Sequence, residues 1–168
     1  MADRNQGVRA VTCGKLSDSA MTAIFAYDIR RLHGEQELAD ALELRHAVFC
    51  VEQGVPEHEE LDGRDREGIH LVAVSEDGAV LGTCRVLMVG STAQFSRLAV
   101  RADARRRGIA TALLDLAETE TRRQGGRRLV LHAQTYAREL YEQAGYRPRG
   151  RVFWEAGIEH VAMEKHLA

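Results

Sequence analysis

Phe95-Ser96-Arg97-Leu98-Ala99-Val100-Arg101-Ala102-Asp103-Ala104-Arg105-Arg106-Arg107-Gly108-Ile109-Ala110 is the stretch on which the reading of this chain turns. Gln94 to Val100 reads as a strand, with Phe95, Leu98 and Val100 supplying apolar or β-branched bulk. Arg101 to Arg107 is short and polar and reads as a loop. From Gly108 the period changes: Ile109, Ala112, Leu113, Leu116 and Ala117 recur at threes and fours, which lays them along one helix face. Arg122 and Arg123 fall in the last turn, and Gly125-Gly126 stop the helix. A strand thus feeds a basic loop that opens a helix. Such a junction suits an anion, because first-turn N–H groups lack intrahelical partners and the macrodipole favours negative charge there. Gly108 and Ala110 leave the backbone open to a phosphate, and three arginines add charge and forked donors. No Gly-Lys-Ser/Thr follows a glycine loop and no G-x-G-x-x-G opens this helix, so other phosphate motifs fit worse.

Outward from this junction the elements alternate in a regular way. His70 to Ser75 and Ala79 to Val89 are apolar runs joined by Glu-Asp-Gly, a hairpin turn, and they lead into the central strand. Leu129 to Ala133 follows a helical crossover and is expected to lie parallel to Gln94–Val100. Tyr136 to Ala144 reads as a helix ended by Gly145. Arg147 to Trp154 and Ile158 to Glu164 read as a last hairpin about Glu155-Ala156-Gly157. Toward the N-terminus, Ile24 to Leu32 reads as a strand with Ile24, Ala26, Ile29 and Leu32 as its bulk, and Glu35 to Val51 as a helix. Glu52 to Gly68 is an acidic loop carrying Glu52, Glu57, Glu59, Glu60, Asp62, Asp65 and Glu67. Met1 to Ala20 is weakly patterned and is expected to be a mobile extension, with Met21 an alternative start and residues 21–168 one domain.

Composition bounds the class. A chain of 168 residues, 45% hydrophobic and 29% charged, suffices for one domain with a full core. Net charge is −2, so nothing pulls the whole chain toward nucleic acid or membrane. The arginines at 105–107, 122–123 and 127–128 lack the interleaved aromatics of a nucleic-acid surface. Cys13, Cys50 and Cys84 are widely spaced, with no C-x-x-C, which argues against a disulfide framework or a metal site and fits a reducing cytoplasm. No run approaches the ~20 apolar residues of a membrane span, and the N-terminus lacks a signal-peptide core.

Leu-x-Val, a short loop, then Arg105-x-x-Gly108-x-Ala110 resembles the acyl-CoA signature of the GNAT N-acetyltransferases, Q/R-x-x-G-x-G/A. The second half is similar too: Ala137, Leu140, Tyr141, Gly145 and Tyr146 follow the family's A-x-x-L/F-Y-x-x-x-G-F/Y. Gln134 stands seven residues before the Tyr, where the family often has an Asn that contacts coenzyme A. Leu44-Arg45-His46-Ala47-Val48-Phe49, Val51-Glu52-Gln53 and Pro56, Asp62, His132-Ala133-Gln134, and Gly157-Ile158-Glu159-His160 with Met163 resemble the ElaA/YjcF-type members. The resemblance covers about residues 24 to 166. Two positions depart from the pattern: Asp103 stands where many members have Pro, and Leu129 where some place a catalytic carboxylate.

The resemblance implies an α/β (α+β) GNAT fold: a mixed sheet of six to seven strands with about four helices, splayed between its fourth and fifth strands. It implies an acyltransferase that moves an acetyl group from acetyl-CoA to a primary amine, on a small molecule or peptide, in a ternary complex without a metal. Leu98, Ala99, Val100, Arg105, Arg106, Arg107, Gly108, Ile109, Ala110, Thr111, Gln134 and Tyr141 are the cofactor-binding positions it implies. Tyr141 is the candidate acid for the departing thiolate. Glu52, His70 and His160 are candidate bases for the ammonium, although Glu52 could instead pair with Arg45. The acidic loop could be a lid that favours cationic amines, plain solvated chain, or a face toward a partner subunit in a homodimer. A non-catalytic acyl-CoA sensor is the alternative to an enzyme.

Overall fold

β3 (Ile69–Ser75) and β4 (Val80–Val89) pair about Glu76-Asp77-Gly78, and β5 (Thr92–Val100) extends the meander past Gly90-Ser91. These strands occupy the middle of the sheet in a computed structural model that describes residues 8–10 and 26–168. Their near-continuous apolar text follows from that place: Leu71, Val72 and Ala73 are buried, as is β4 from Val80 to Leu87, because helices cover both faces.

Among the described residues, eight strands form one sheet in the order β1-β2-β3-β4-β5-β6-β8-β7. Beyond the meander these are β1 (Val8–Ala10), β2 (Tyr27–Arg31), β6 (Arg128–Gln134), β7 (Arg147–Glu155) and β8 (Ile158–His166). Every neighbouring pair is antiparallel except β5 and β6, which run parallel across a helical crossover, as the sequence predicts. β1 is a strand the sequence reading lacks: it falls in the segment expected to be a mobile extension and pairs with β2. The rest of that segment, and Ile24, lie outside the described residues. Of the expected bulk of this strand, Ile29 is buried while Ala26 and Leu32 are half-buried, and Tyr27 is a buried side chain that the expectation lacks.

α1 (Gly34–Arg45) packs Ala41 and Leu44 on one face of the sheet, against Val72, Val74, Val80 and Ala99. Its last residues do not continue as an α-helix. His46–Glu52 widens into π-helix, from which Val48 joins the same cluster. The acidic segment carries a four-residue helix, α2 (Glu57–Glu60), and a 3-10 turn at Asp65–Glu67. α3 (Ile109–Arg123) lies on the other face, burying Ile109, Leu113 and Ala117 of the stripe read from the sequence together with Leu114, while Ala112 and Leu116 are partly buried. Gly82 on β4 makes room for it, because a Cβ there would stand 2.6 Å from Ile109 Cγ2. The predicted helix over 136–144 resolves into a 3-10 turn at Thr135–Ala137 and α4 (Arg138–Gln143). α4 places Tyr141 in the α3-side core.

Candidate active site

The cleft opens where β5 and β6 part. Their pairing runs from Thr92 opposite Arg128 to Phe95 opposite Leu131 and stops, although β5 continues to Val100 and β6 to Gln134. The edge of β5 from Ser96 onward therefore offers main-chain groups that β6 does not take. A bulge against β4 marks the point of divergence, with Arg97 in left-handed backbone at φ 59°. That conformation costs a non-glycine residue about 1–3 kcal/mol. It is held by the Arg97 guanidinium, which donates to the carbonyls of Glu59 at 3.0 Å and Glu60 at 3.0 and 3.1 Å.

The cleft has a volume of about 790 Å³. One end is the strand–loop–helix junction: Leu98, Ala99, Val100, Arg105, Arg106, Gly108, Ile109, Ala110 and Thr111 all line it. Arg106 and Gly108 both have positive φ, at 64° and 81°, and turn the chain sharply into α3. Arg107 does not line the cleft with its neighbours, and its carbonyl accepts from the Tyr27 hydroxyl at 3.2 Å, tying the loop to β2. Ile109 is buried under Gly82, so only its main chain can serve a ligand.

The π-helical end of α1 forms a roof that reaches both arms of the splay. Glu52 accepts from Arg105 at 2.8 and 3.0 Å. Gln53 accepts from the Gln134 amide at 2.8 Å and donates to the Tyr136 hydroxyl at 3.2 Å. Glu52 pairs with the motif arginine rather than with Arg45. Gln134 lines the cleft and gives one amide N–H to the roof, which leaves its second N–H and its carbonyl.

Tyr141 lines the cleft from the α4 side, its ring edge-on to Phe95 and Tyr146. Burial pushes its phenol well above the usual value, with Cys84 and Tyr136 adding to the shift. Of the base candidates, His160 lines the cleft and His70 does not. His70 is pinned to the Asp65 carbonyl at 2.7 Å, and burial pushes its imidazole down. The ring nitrogen Nδ1 of His160 lies 2.8 Å from the Ile158 carbonyl, an acceptor, so Nδ1 carries the proton and Nε2 is left basic.

Two cleft residues escape the sequence reading: His132 at the end of β6 and Glu155 at the tip of the β7–β8 hairpin. His132 Nδ1 lies 3.2 Å from Glu155 Oε2, and His160 Nε2 lies 3.9 Å from the same oxygen. Phe153 stacks on His160 and meets His132 edge-on. No local spacing signals this group, because the β6–β8 and β7–β8 registers assemble it. Trp154, by contrast, is 71% exposed.

Much of the negative charge of the acidic segment is taken up by arginines. Glu60 and Asp65 bind Arg45, Asp62 and Asp65 bind Arg85, Glu67 binds Arg64, and Glu52 binds Arg105. Five of its seven carboxylates are thus paired with arginine, which weakens the field on which steering of cationic amines would rest. Arg85 holds Asp62 by a hydrogen bond, well below the usual carboxylate range.

These residues fit an acyl-CoA. A turn with positive φ and two arginines stands at the N-terminus of a 15-residue helix, beside β5 main-chain groups that β6 does not take and a phenol in the same cleft. No group of His, Cys, Asp or Glu among the described residues is arranged to hold a metal ion, and no described helix is long and apolar enough to cross a membrane. Comparison with known proteins agrees. Residues 33–167 match the Acetyltransferase (GNAT) domain family. YjcF of Bacillus subtilis (strain 168), an uncharacterized N-acetyltransferase, is 33% identical over 132 residues, 78% of this chain and 94% of YjcF. The crystal structure of Escherichia coli ElaA superposes with a TM-score of 0.73 at 26% identity, covering 83% of this chain and 99% of that one. An aminoglycoside 6'-N-acetyltransferase complexed with coenzyme A shares the fold at 18% identity, with a TM-score of 0.67 over 82% of this chain and 96% of its own. The splayed parallel strands, the basic turn into α3 and the family match over most of the chain lead to one conclusion: the protein belongs to the GNAT acetyltransferase family, in its ElaA/YjcF-like subgroup.

Proposed function

We propose that the protein transfers the acetyl group of acetyl-CoA to a primary amine by direct attack in a ternary complex. The observation that carries this reading is the convergence of three parts on one cleft: the Arg105–Thr111 junction, the open edge of β5 and the phenol of Tyr141. Arg105, Arg106 and the first-turn amides of α3 would hold the pyrophosphate. Main-chain groups on the free edge of β5 within Ser96–Val100 would pair with the pantetheine arm and polarise the acetyl carbonyl. Acetyl-CoA supplies an activated acyl carbon. The chain supplies orientation, a donor at the sulfur and a base for the amine.

An alkylammonium, with a pKa of about 10.4, cannot attack until it loses a proton. His160 is the base we assign, because it alone of the three candidates lines the cleft with a basic ring nitrogen. Glu52 is engaged by Arg105 and His70 sits outside the cleft. Tyr141 is the donor to the leaving sulfur. Calorimetry with coenzyme A and release of free thiol across a panel of primary amines test the reading together. Binding with turnover of at least one amine is expected. Tight coenzyme A binding with no turnover of any amine would make the protein a non-catalytic acyl-CoA sensor, and failure to bind coenzyme A would overturn both.

A further inference from the structure

The side chain of His160 is only 10% exposed, so a proton that it accepts needs a way out. The stoichiometry makes the need explicit. As the C–N bond forms and the C–S bond breaks, an ammonium becomes an amide and sheds two protons. One ends on the coenzyme A sulfur and the other must reach solvent. A base that cannot pass its proton on works once.

We infer that Glu155 and His132 form the proton exit for His160, a role that rests on the acetyl-transfer reading above. The geometry is directional. His160 keeps the Nδ1 proton on the Ile158 carbonyl at 2.8 Å, so the proton taken from the amine resides on Nε2. Nε2 faces the Glu155 carboxylate at 3.9 Å, and a movement of about 1 Å brings that to hydrogen-bond length. Glu155 is half exposed at the tip of a hairpin, which leaves it room to make that movement. The same carboxylate oxygen lies 3.2 Å from His132 Nδ1, and His132 is 54% exposed. Exposure therefore rises along the line from 10% to 50% to 54%, from the enclosed base to the open surface. Phe153 holds both rings in place, with centroids at 6.0 Å from His160 and 4.9 Å from His132.

Most of the other charged groups of the cleft are already committed to partners. Glu52 is bound to Arg105 on the roof, Glu60 and Asp62 to Arg45, Arg85 and Arg97 on the far wall, and Arg97 also to main-chain carbonyls. Glu59 lines the cleft through the α2 segment, and Arg64 is bound to Glu67. Glu155 is the carboxylate in contact with both imidazoles.

The test uses the full chain with Glu155→Gln, His132→Gln and His160→Gln. The readout is turnover of the best of benzylamine, spermidine, glucosamine and lysine ethyl ester, with and without imidazole buffer at fixed pH. His160→Gln should lower kcat/KM ~10²-fold or more. Glu155→Gln and His132→Gln should slow turnover and make it rise with the concentration of imidazole buffer at fixed pH, while the wild type stays indifferent to buffer. Glu155→Gln and His132→Gln variants whose turnover is normal and insensitive to buffer overturn the exit path alone, and so does a loss of turnover that no buffer restores. No wild-type turnover with any of the four amines falls on the acetyl-transfer reading and takes the path with it.

Discussion

Tyr141 has its ring fixed between Phe95 at 6.4 Å and Tyr146 at 6.1 Å, which leaves the hydroxyl as the part able to act. Its raised pKa, which makes it a weaker acid than a free phenol, decides how it acts. A coenzyme A thiol has a pKa of about 8.5, so complete transfer from a phenol held well above its usual value runs uphill. In the proposed reaction Tyr141 would therefore act as a hydrogen-bond donor to the charge growing on sulfur. Such bonds to charged groups are worth about 1.5–3 kcal/mol, so Tyr141→Phe should lower kcat roughly 10- to 10²-fold. Coenzyme A affinity and thermal stability should stay close to wild type, since the packing ring remains. Single-turnover kinetics that match the wild type would transfer the donor role to another group. Tyr141 was legible in the sequence because its helix, its spacing to Gly145 and its family pattern are all local. The choice among Glu52, His70 and His160 was not, because it depends on which ring faces the splay and which carboxylate an arginine from another element has taken.

The turn into α3 is an element whose conformation and chemistry agree. Gly108 caps the helix at φ 81°, a left-handed backbone that a side chain strains, and it stands where an anion would meet the first-turn amides. Gly108→Asp adds strain, bulk and a negative charge at that point. Coenzyme A affinity should fall at least ~10²-fold, the product of a strained backbone of about 1–3 kcal/mol and like-charge repulsion. Isothermal calorimetry checks it, and equal affinity would move the phosphate site elsewhere. This junction could be read from the sequence because a change of period from two to 3.6 across a short basic loop is a local signal. The first helix could be read only in part. Its apolar stripe locates it, but the switch to π-helix at His46 depends on what Glu52 and Gln53 reach: Arg105, Gln134 and Tyr136 from two other elements. β1 was illegible for a related reason, since three residues become a strand only because β2 presents an edge to them.

Across the whole molecule, one ion network joins α1, the acidic segment and the central strands β4 and β5. Arg45 is 1% exposed and binds Glu60 and Asp65, and Arg85 binds Asp62 and Asp65. Arg97 adds contacts to Glu60 and Asp62. Removing one member leaves buried charge uncompensated, at a cost of about 3–5 kcal/mol. Arg45→Met should accordingly lower Tm by on the order of 10 °C. The network also sets how stability depends on pH. Burial opposes ionisation of Asp65, but its bonds from Arg45 and Arg85 outweigh that and hold it below its usual value; the Arg85 bond does the same for Asp62. A carboxylate lowered in this way contributes stability that is complete above its unfolded value near pH 3.9 and is lost as pH falls toward the folded value. His70 is lowered by burial, so below about pH 6.5 the unfolded chain gains a proton that the folded one refuses, and stability falls there too. At the alkaline end burial raises the Cys84 thiol and the phenols of Tyr141 and Tyr146, and their contribution is complete below their unfolded values, about pH 8.5 for the thiol and about 10 for the phenols, and is lost above them. Stability measured by urea denaturation should therefore hold a plateau between about pH 6.5 and 8.5, with one acid decline starting near 6.5 and a steeper one below about 4. In Arg45→Met the steeper acid decline should flatten, because Asp65 loses the partner that lowers it. An acid decline of wild-type slope in that variant would mean that Arg45 does not hold the carboxylates of this segment, and that their pairing rests on Arg85 and Arg97 alone.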